Sequence, residues 1–181
     1  MRALLRVGLG LLLLAFVLIG LSYAVLRSQG GAGRLEARIV GDQTRGVTRE
    51  VRAVELTGPI DLTLRYGAQP TLVVRGEERL LANIETKQDG RVLHIGTRGI
   101  VLRHRQPIEV ELTLPMLDRI GVDGSGDTRI NGFSGETIEV ELNGSGNVEF
   151  NGRYRRAKVT VHGTGQVTLD AGNSDSIDAD L

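Results

Sequence analysis

Cysteine is absent from the 181 residues. The chain therefore has no disulfide, no thiolate metal ligand, no thiol nucleophile and no cysteine for a lipid anchor. Tryptophan is also absent, and aromatic residues make up 3% of the chain, which disfavours a sugar-stacking or base-stacking platform. Charge of one sign is lacking overall, with 22 basic residues against 22 acidic. That balance argues against a dominant basic surface, and so against nucleic acid as a partner. Glycine is abundant: 25 residues, about twice its usual ~7% share.

The charge is unevenly placed. Arg2, Arg6, Arg27 and Arg34 stand in the first 34 residues without an acid, which leaves a weakly acidic body. Between Val7 and Leu26 runs VGLGLLLLAFVLIGLSYAVL, uncharged throughout. At 1.5 Å per residue this run spans ~30 Å, the thickness of a bilayer core. Two readings stand. One is an uncleaved signal anchor that holds the chain to the membrane, favoured slightly by the length of the run. The other is a signal peptide cleaved after Ser22-Tyr23-Ala24. Either one exports the remainder of the chain. Residues 27–45, with Gly30-Gly31-Ala32-Gly33, read as a flexible linker, and residues 46–181 as the folded domain.

From Val47 the apolar period is two, the mark of half-buried strands. Val51, Ala53 and Leu56 belong to one strand. Ile60, Leu62 and Leu64 alternate with Asp61, Thr63 and Arg65 in the next, and Leu72-Val73-Val74 forms a third. Residues 77–82 are the one helix-like segment, two turns at most. Asp89-Gly90, between alternating residues 84–87 and 92–95, predicts a hairpin. Ile108, Val110, Leu112 and Leu114 alternate in the same way.

The last third repeats as GSGDTRINGFSGETIEVELN, GSGNVEFNGRYRRAKVTVHG and GTGQVTLDAGNSDSIDADL. The turns are Gly124-Ser125-Gly126-Asp127, Gly144-Ser145-Gly146-Asn147 and Gly163-Thr164-Gly165. The expected inward sets are Ile138/Val140/Leu142, Ala157/Val159/Val161 and Ile177/Ala179/Leu181. A beat near 20 residues with two strands per copy predicts an all-β, β-solenoid or β-helix-like stack of short strands on G-[ST]-G turns. An antiparallel meander or barrel is the alternative. The third copy ends on its longer strand with no cap, so we expect truncation, capping by a partner, or self-association through an open C-terminal strand.

Several of these residues resemble the auto-transporter adhesin "head GIN" domain family. Gly58-Pro59-Ile60-Asp61-Leu62 resembles its opening strand. Leu80-Leu81 with Asp89-Gly90 and Val92-Leu93-His94-Ile95 resembles its hairpin. Leu114-Pro115, Leu117 and Gly124-Ser125-Gly126-Asp127 resemble its "LP-x-L … GSGD" junction. The resemblance covers residues 48–181 and implies a β-helical domain that is secreted or exposed on the envelope. It carries over no catalytic or ligand residue, and the family continues for further GSG repeats.

Signals of site chemistry are weak. Asp127 in GSGD is superficially similar to calcium β-rolls, but the equivalent positions are Asn147 and Gln166, too few carboxylates for the six to eight oxygens of a calcium site. Glu139/Glu141 and Glu109/Glu111 lie ~7 Å apart on strand faces, a spacing glycosidases tolerate and any wet strand provides. His94, His104 and His162 are scattered. Ser125 and Ser145 do not sit in a nucleophile elbow. Arg98, Arg103, His104 and Arg105 form a basic cluster that reads as a solvated loop before the Ile108 strand. No cofactor, metal or catalytic residue is expected. The expected function is a non-enzymatic, exported envelope protein, adhesin-like or scaffolding, with an unknown protein or glycan partner. The alternatives are a polysaccharide-acting enzyme and a membrane-side sensory or accessory domain.

Overall fold

The computed structural model describes residues 40–99, 108–170, 172 and 176–180. The apolar run at 7–26 and most of the expected linker lie outside these residues. Among the described residues no helix is long and apolar enough to cross a membrane.

The described chain is all-β apart from one helical turn. The strands are β1 (Val40–Arg45), β2 (Ala53–Thr57), β3 (Ile60–Tyr66), β4 (Thr71–Glu77), β5 (Ile84–Asp89), β6 (Val92–Thr97), β7 (Ile108–Leu114) and β8 (Arg119–Gly124). They continue with β9 (Asp127–Gly144), β10 (Asn147–Gly163), β11 (Gln166–Asp170) and β12 (Ser176–Asp180). The helical turn α1 is Glu78–Leu81, shorter than the residue pattern suggested. Val40–Arg45, assigned to the linker from sequence, pairs antiparallel with β4 as an edge strand. Its exposed, polar residues gave no alternation to read.

All the strands join one sheet, which folds into two facing walls because β9 and β10 each serve both. Along the first wall the order is β1, β4, β7, β3, then the first halves of β9 and β10, then β11. Along the second it is β5, β6, β2, β8, then the second halves of β9 and β10, then β12. Antiparallel pairing is confined to the β1, β4 and β5 end. The repeats pair in parallel, each on the next, as Asp127 with Asn147 and Asn147 with Gln166. They are not joined as antiparallel hairpins.

Where β9 crosses between the walls it carries one residue more than β10. Asn131 pairs with Asn151 and Phe133 with Gly152, so Gly132 has no partner. Its φ of +85° is one that L side chains adopt rarely, and a glycine bulge turns the corner there.

The inward residues of both walls form a single core. Ile138, Val140 and Leu142 are buried, as are Ala157 and Val159, while Val161 packs partly buried against them. The side chains of Ile177 and Ala179, and Leu181 altogether, lie outside the described residues. In β2 the inward pair is Val54 and Leu56. Val51 is buried just before that strand, and Ala53 is only half-buried.

Thr128 breaks the apolar column, standing between Leu62 and Val148 at 1% exposure. Its hydroxyl has no hydrogen-bond partner among the described residues. A buried, unsatisfied hydroxyl costs about 1–3 kcal/mol. Thr128→Val keeps the shape and removes the hydroxyl. It is expected to stabilise the protein by about 1 kcal/mol, raising Tm by roughly 3 °C in a thermal melt.

One end of the core is closed. Leu81 of α1 is buried there, in reach of Gly41 and Gly76. Arg45 on β1 donates to the carbonyls of Ile84 and Leu81 and to Thr86 Oγ1. One guanidinium thus ties β1 to β5, the two ends of the strand order, and draws the sheet towards closure.

Candidate interaction faces

The G-x-G turns stack in two columns. A Cβ on Gly124 would fall 2.1 Å from the Gly58 carbonyl oxygen, one on Gly144 2.3 Å from that of Gly124, and one on Gly163 2.2 Å from that of Gly144. In the second column Gly126 lies over Ile60, Gly146 over Gly126 and Gly165 over Gly146, at 2.0, 2.4 and 2.4 Å. Only hydrogen fits at such distances. Backbone N–H groups of Ser145 and Gly146 donate to the Gly124 carbonyl, and those of Thr164 and Gly165 to that of Gly144. Ser125, Ser145 and Thr164 occupy the turn tips, exposed. Gly58-Pro59-Ile60 is the first step of both columns, a role that the sequence pattern did not reveal.

This close stacking fixes the register of the outward side chains. Asp127 N donates to Asp61 Oδ1 at 2.9 Å, and Asn147 Nδ2 donates to Asp127 Oδ1 at 2.9 Å. The Asp127 carboxylate also lies 3.8 Å from Arg129. Asp127 is therefore engaged by its neighbours in the stack. Among the described residues no group of three or more His, Asp or Glu side chains is placed to hold a metal.

On the second wall, one row runs Arg119, Glu139, Lys158, Asp178. Glu139 lies 3.7 Å from Arg119 and 3.2 Å from Lys158, and Arg119 reaches Glu141 at 3.0 Å. Hydrogen bonds from Asn143 and Arg119 hold the Glu141 carboxyl below its ordinary value, so it stays ionised. On the first wall Arg75 lies 2.9 Å from Asp42, 3.6 Å from Glu111 and 4.0 Å from Glu109. Both carboxylate pairs singled out from sequence are thus ion-paired.

His94 and His162 do not meet. His94 lies 3.0 Å from Glu55, His162 stands exposed further along the same wall, and His104 lies outside the described residues. Of the basic cluster, only Arg98 is described. It pairs with Glu85, and their hydrogen bond lowers the Glu85 carboxyl.

Among the described residues, each wall carries an open depression. One, of about 390 Å³ on the first wall, is lined by Asp127, Arg129, Asn147, Glu149, Gln166 and Thr168. The other, of about 220 Å³ on the second wall, lies among Glu55, Arg119, Asp123, Glu141 and Asn143, over the bare backbone of Gly121.

Parallel strands stacked on glycine columns, with ion-paired side chains in rows on two walls, define a class: an all-β domain built on one sheet, with polar rows on its outer surface. The chain belongs to the family described as "putative auto-transporter adhesin, head GIN domain", which matches residues 51–181. Solved structures share the fold at low identity. A putative adhesin from Bacteroides fragilis has a TM-score of 0.69 at 20% identity, covering 75% of this chain and 64% of its own. A protein from Parabacteroides distasonis described as a putative lipid binding protein has 0.65 at 18%, covering 77% and 59%. A putative adhesin from Parabacteroides merdae has 0.60 at 18%, covering 75% and 66%. The chain therefore spans about three-fifths to two-thirds of the length of these proteins. No match was found among curated proteins.

Proposed function

We propose that this chain is an exported, non-enzymatic protein of the cell envelope, and that its β domain is an adhesin-like or scaffolding solenoid that binds through its outer rows. The observation that carries this reading is the pair of glycine columns. They lock successive repeats in register and so turn single side chains into rows repeated across a wall. Such rows suit an extended protein or glycan ligand better than a small molecule. The name of the family and of its solved relatives supports an adhesive role at the cell surface. The uncharged run at 7–26, behind Arg2 and Arg6, supports export, with a membrane-tethered domain if the run is not cleaved. Ion pairing of Glu109, Glu111, Glu139 and Glu141 weighs against the polysaccharide-acting alternative.

Cells bearing the full chain are compared with cells bearing a chain without residues 46–181, on surfaces coated with glycans and with envelope protein. The full chain is expected to raise adherence and to release no reducing ends from polysaccharide. Equal adherence on every surface would overturn the reading, and released reducing ends would replace it with the enzyme. Surface proteolysis of intact cells, together with carbonate extraction, separates a secreted product from a tethered one.

A further inference from the structure

We propose that the corner where β9 and β10 pass between the walls is a binding site for an anionic glycan, held by Arg153, Arg155 and Arg156 with Tyr66 at its border. This rests on reading the domain as a binding module, and it names a ligand class and a place on the surface.

Gly152-Arg153-Tyr154-Arg155-Arg156 sets three arginines within four residues. Tyr154 is buried at the corner, so its neighbours Arg153 and Arg155 turn outward, and Arg156 is exposed beside them. The Tyr154 hydroxyl donates to the Leu117 carbonyl and holds the segment in place. The three guanidiniums are therefore carried by a fixed strand and not by a loop.

Cations on the walls are neutralised where they stand. Within 4.0 Å, Arg75 meets Asp42, Glu109 and Glu111, Arg119 meets Glu139 and Glu141, and Arg129 meets Asp127 and Glu149. The corner reverses that ratio. Arg155 and Arg156 share one carboxylate, Glu136, at 3.5 and 3.9 Å. Arg153 has no carboxylate partner among the described residues, and neither has Arg65 at the end of β3. The corner thus holds surplus positive charge. Guanidinium forks match carboxylate, sulfate and phosphate groups with paired hydrogen bonds.

The surroundings favour a glycan as the carrier of those anions. Arg65, Asn131 and Asn151 are register partners, all exposed, and Ser134 is exposed opposite Arg153. Their amides and hydroxyl are partners for sugar hydroxyls. Tyr66 is 58% exposed, and among the described aromatic rings it alone is open. It borders the corner, since a Cβ on Gly132 would lie 3.5 Å from its own. A sugar ring on Tyr66 stands two strand spacings, ~10 Å, from the arginines of β10, a distance that an extended glycan covers. Docking on a membrane surface buries a broad apolar face. The exposed large apolar side chains are Val40, Tyr66 and Met116, too scattered to form one.

In detergent, the full chain is titrated with polygalacturonate, with dextran sulfate and with neutral dextran of matched length. At least one anionic polymer is expected to bind about tenfold or more tighter than dextran, and to weaken as salt is raised. Arg153→Gln with Arg155→Gln and Arg156→Gln is expected to lose about tenfold at an unchanged Tm. Should that triple variant fail to fold, Arg153→Gln alone breaks no ion pair among the described residues and is expected to lose about threefold. An equal loss of charge on the walls, Lys87→Gln with Arg129→Gln and Lys158→Gln, is expected to change affinity less than about twofold. Lysine at the three corner positions keeps the charge without the fork and is expected to restore only part of the affinity. Tyr66→Ala is expected to weaken binding about threefold, which attraction between charges alone would not produce. Equal binding of all three polymers, or equal losses from the corner and wall variants, would overturn the proposal. So would tighter binding of the same arginines to mixed micelles containing phosphatidylglycerol than to either anionic polymer, which would give the corner to a membrane surface. Failure to bind either anionic polymer, by a chain that still supports adherence, would sink this inference alone and leave the proposed function standing.

Discussion

Gly126→Ala is expected to lose about 3 kcal/mol of stability, lowering Tm by roughly 10 °C in a thermal melt. The backbone at Gly126 does not have a positive φ, so conformational strain is not the cause. The cause is space: the added methyl would sit 2.0 Å from the Ile60 carbonyl oxygen and 2.5 Å from its carbon. Backbone cannot yield like a side-chain tip, so two repeats must separate. That separation is transmitted, because Gly146 rests on Gly126 and Gly165 on Gly146. Gly121→Ala is the matched control on a neighbouring strand. Its methyl would meet nothing nearer than Glu55 Cγ at 3.9 Å. It is expected to stabilise by about 0.4–1 kcal/mol, because alanine has less unfolded-state freedom to lose. Equal effects of the two changes would contradict the stacking account.

Tyr154→Ala is expected to cost about 3–4 kcal/mol, measured by chemical denaturation. Tyr154 is 2% exposed at the corner where β10 passes between the walls. Its ring packs on Phe150 at 5.7 Å between centroids and covers Gly135, where a Cβ would lie 2.7 Å from the ring. Its hydroxyl donates to the Leu117 carbonyl at 2.5 Å. The side chain therefore ties the corner to the connection between β7 and β8. Tyr154→Phe keeps the ring and is expected to cost about 1–2 kcal/mol. It also has a pH signature. Burial, helped by the charge of Asp118, raises the Tyr154 pKa above its ordinary value near 10. Above about pH 10 the unfolded chain releases this proton while the folded chain keeps it, so stability is lost as pH rises from there. Below that value the residue adds no pH dependence. Tyr154→Phe is expected to remove its share of the alkaline slope.

The residues announced the strands because burial on one face imposes a period of two, clean in β3 and β7. The G-[ST]-G beat announced which residues would lie over one another in the last three repeats. Gly58-Pro59-Ile60 was illegible as the start of the same columns. Proline and isoleucine replace the small residues, and Asp61 lies 66 residues from its partner Asp127. β1 was illegible for a different reason: an exposed edge strand needs no apolar alternation, so VGDQTR reads as linker. The outer rows were legible only in part. Glu139 and Glu141 could be placed on one strand face, but their cations come from Arg119 and Lys158 on neighbouring strands. That pairing, which weighs against acid chemistry, arises from register rather than from local sequence.

The central claim is parallel stacking at one-repeat register. The cysteine-free chain allows a direct test by paired cysteines. Asn131 and Asn151 are register partners on the outer face. Asn131→Cys with Asn151→Cys is expected to form a disulfide on mild oxidation, since partners on adjacent parallel strands lie ~5 Å apart. Asn131→Cys with Glu149→Cys, shifted by two residues along the same face, exceeds the ~7 Å limit and is expected to stay reduced. A cross-link in the first pair and none in the second supports the stack. A reduced first pair, or a cross-link in the shifted one, would contradict it.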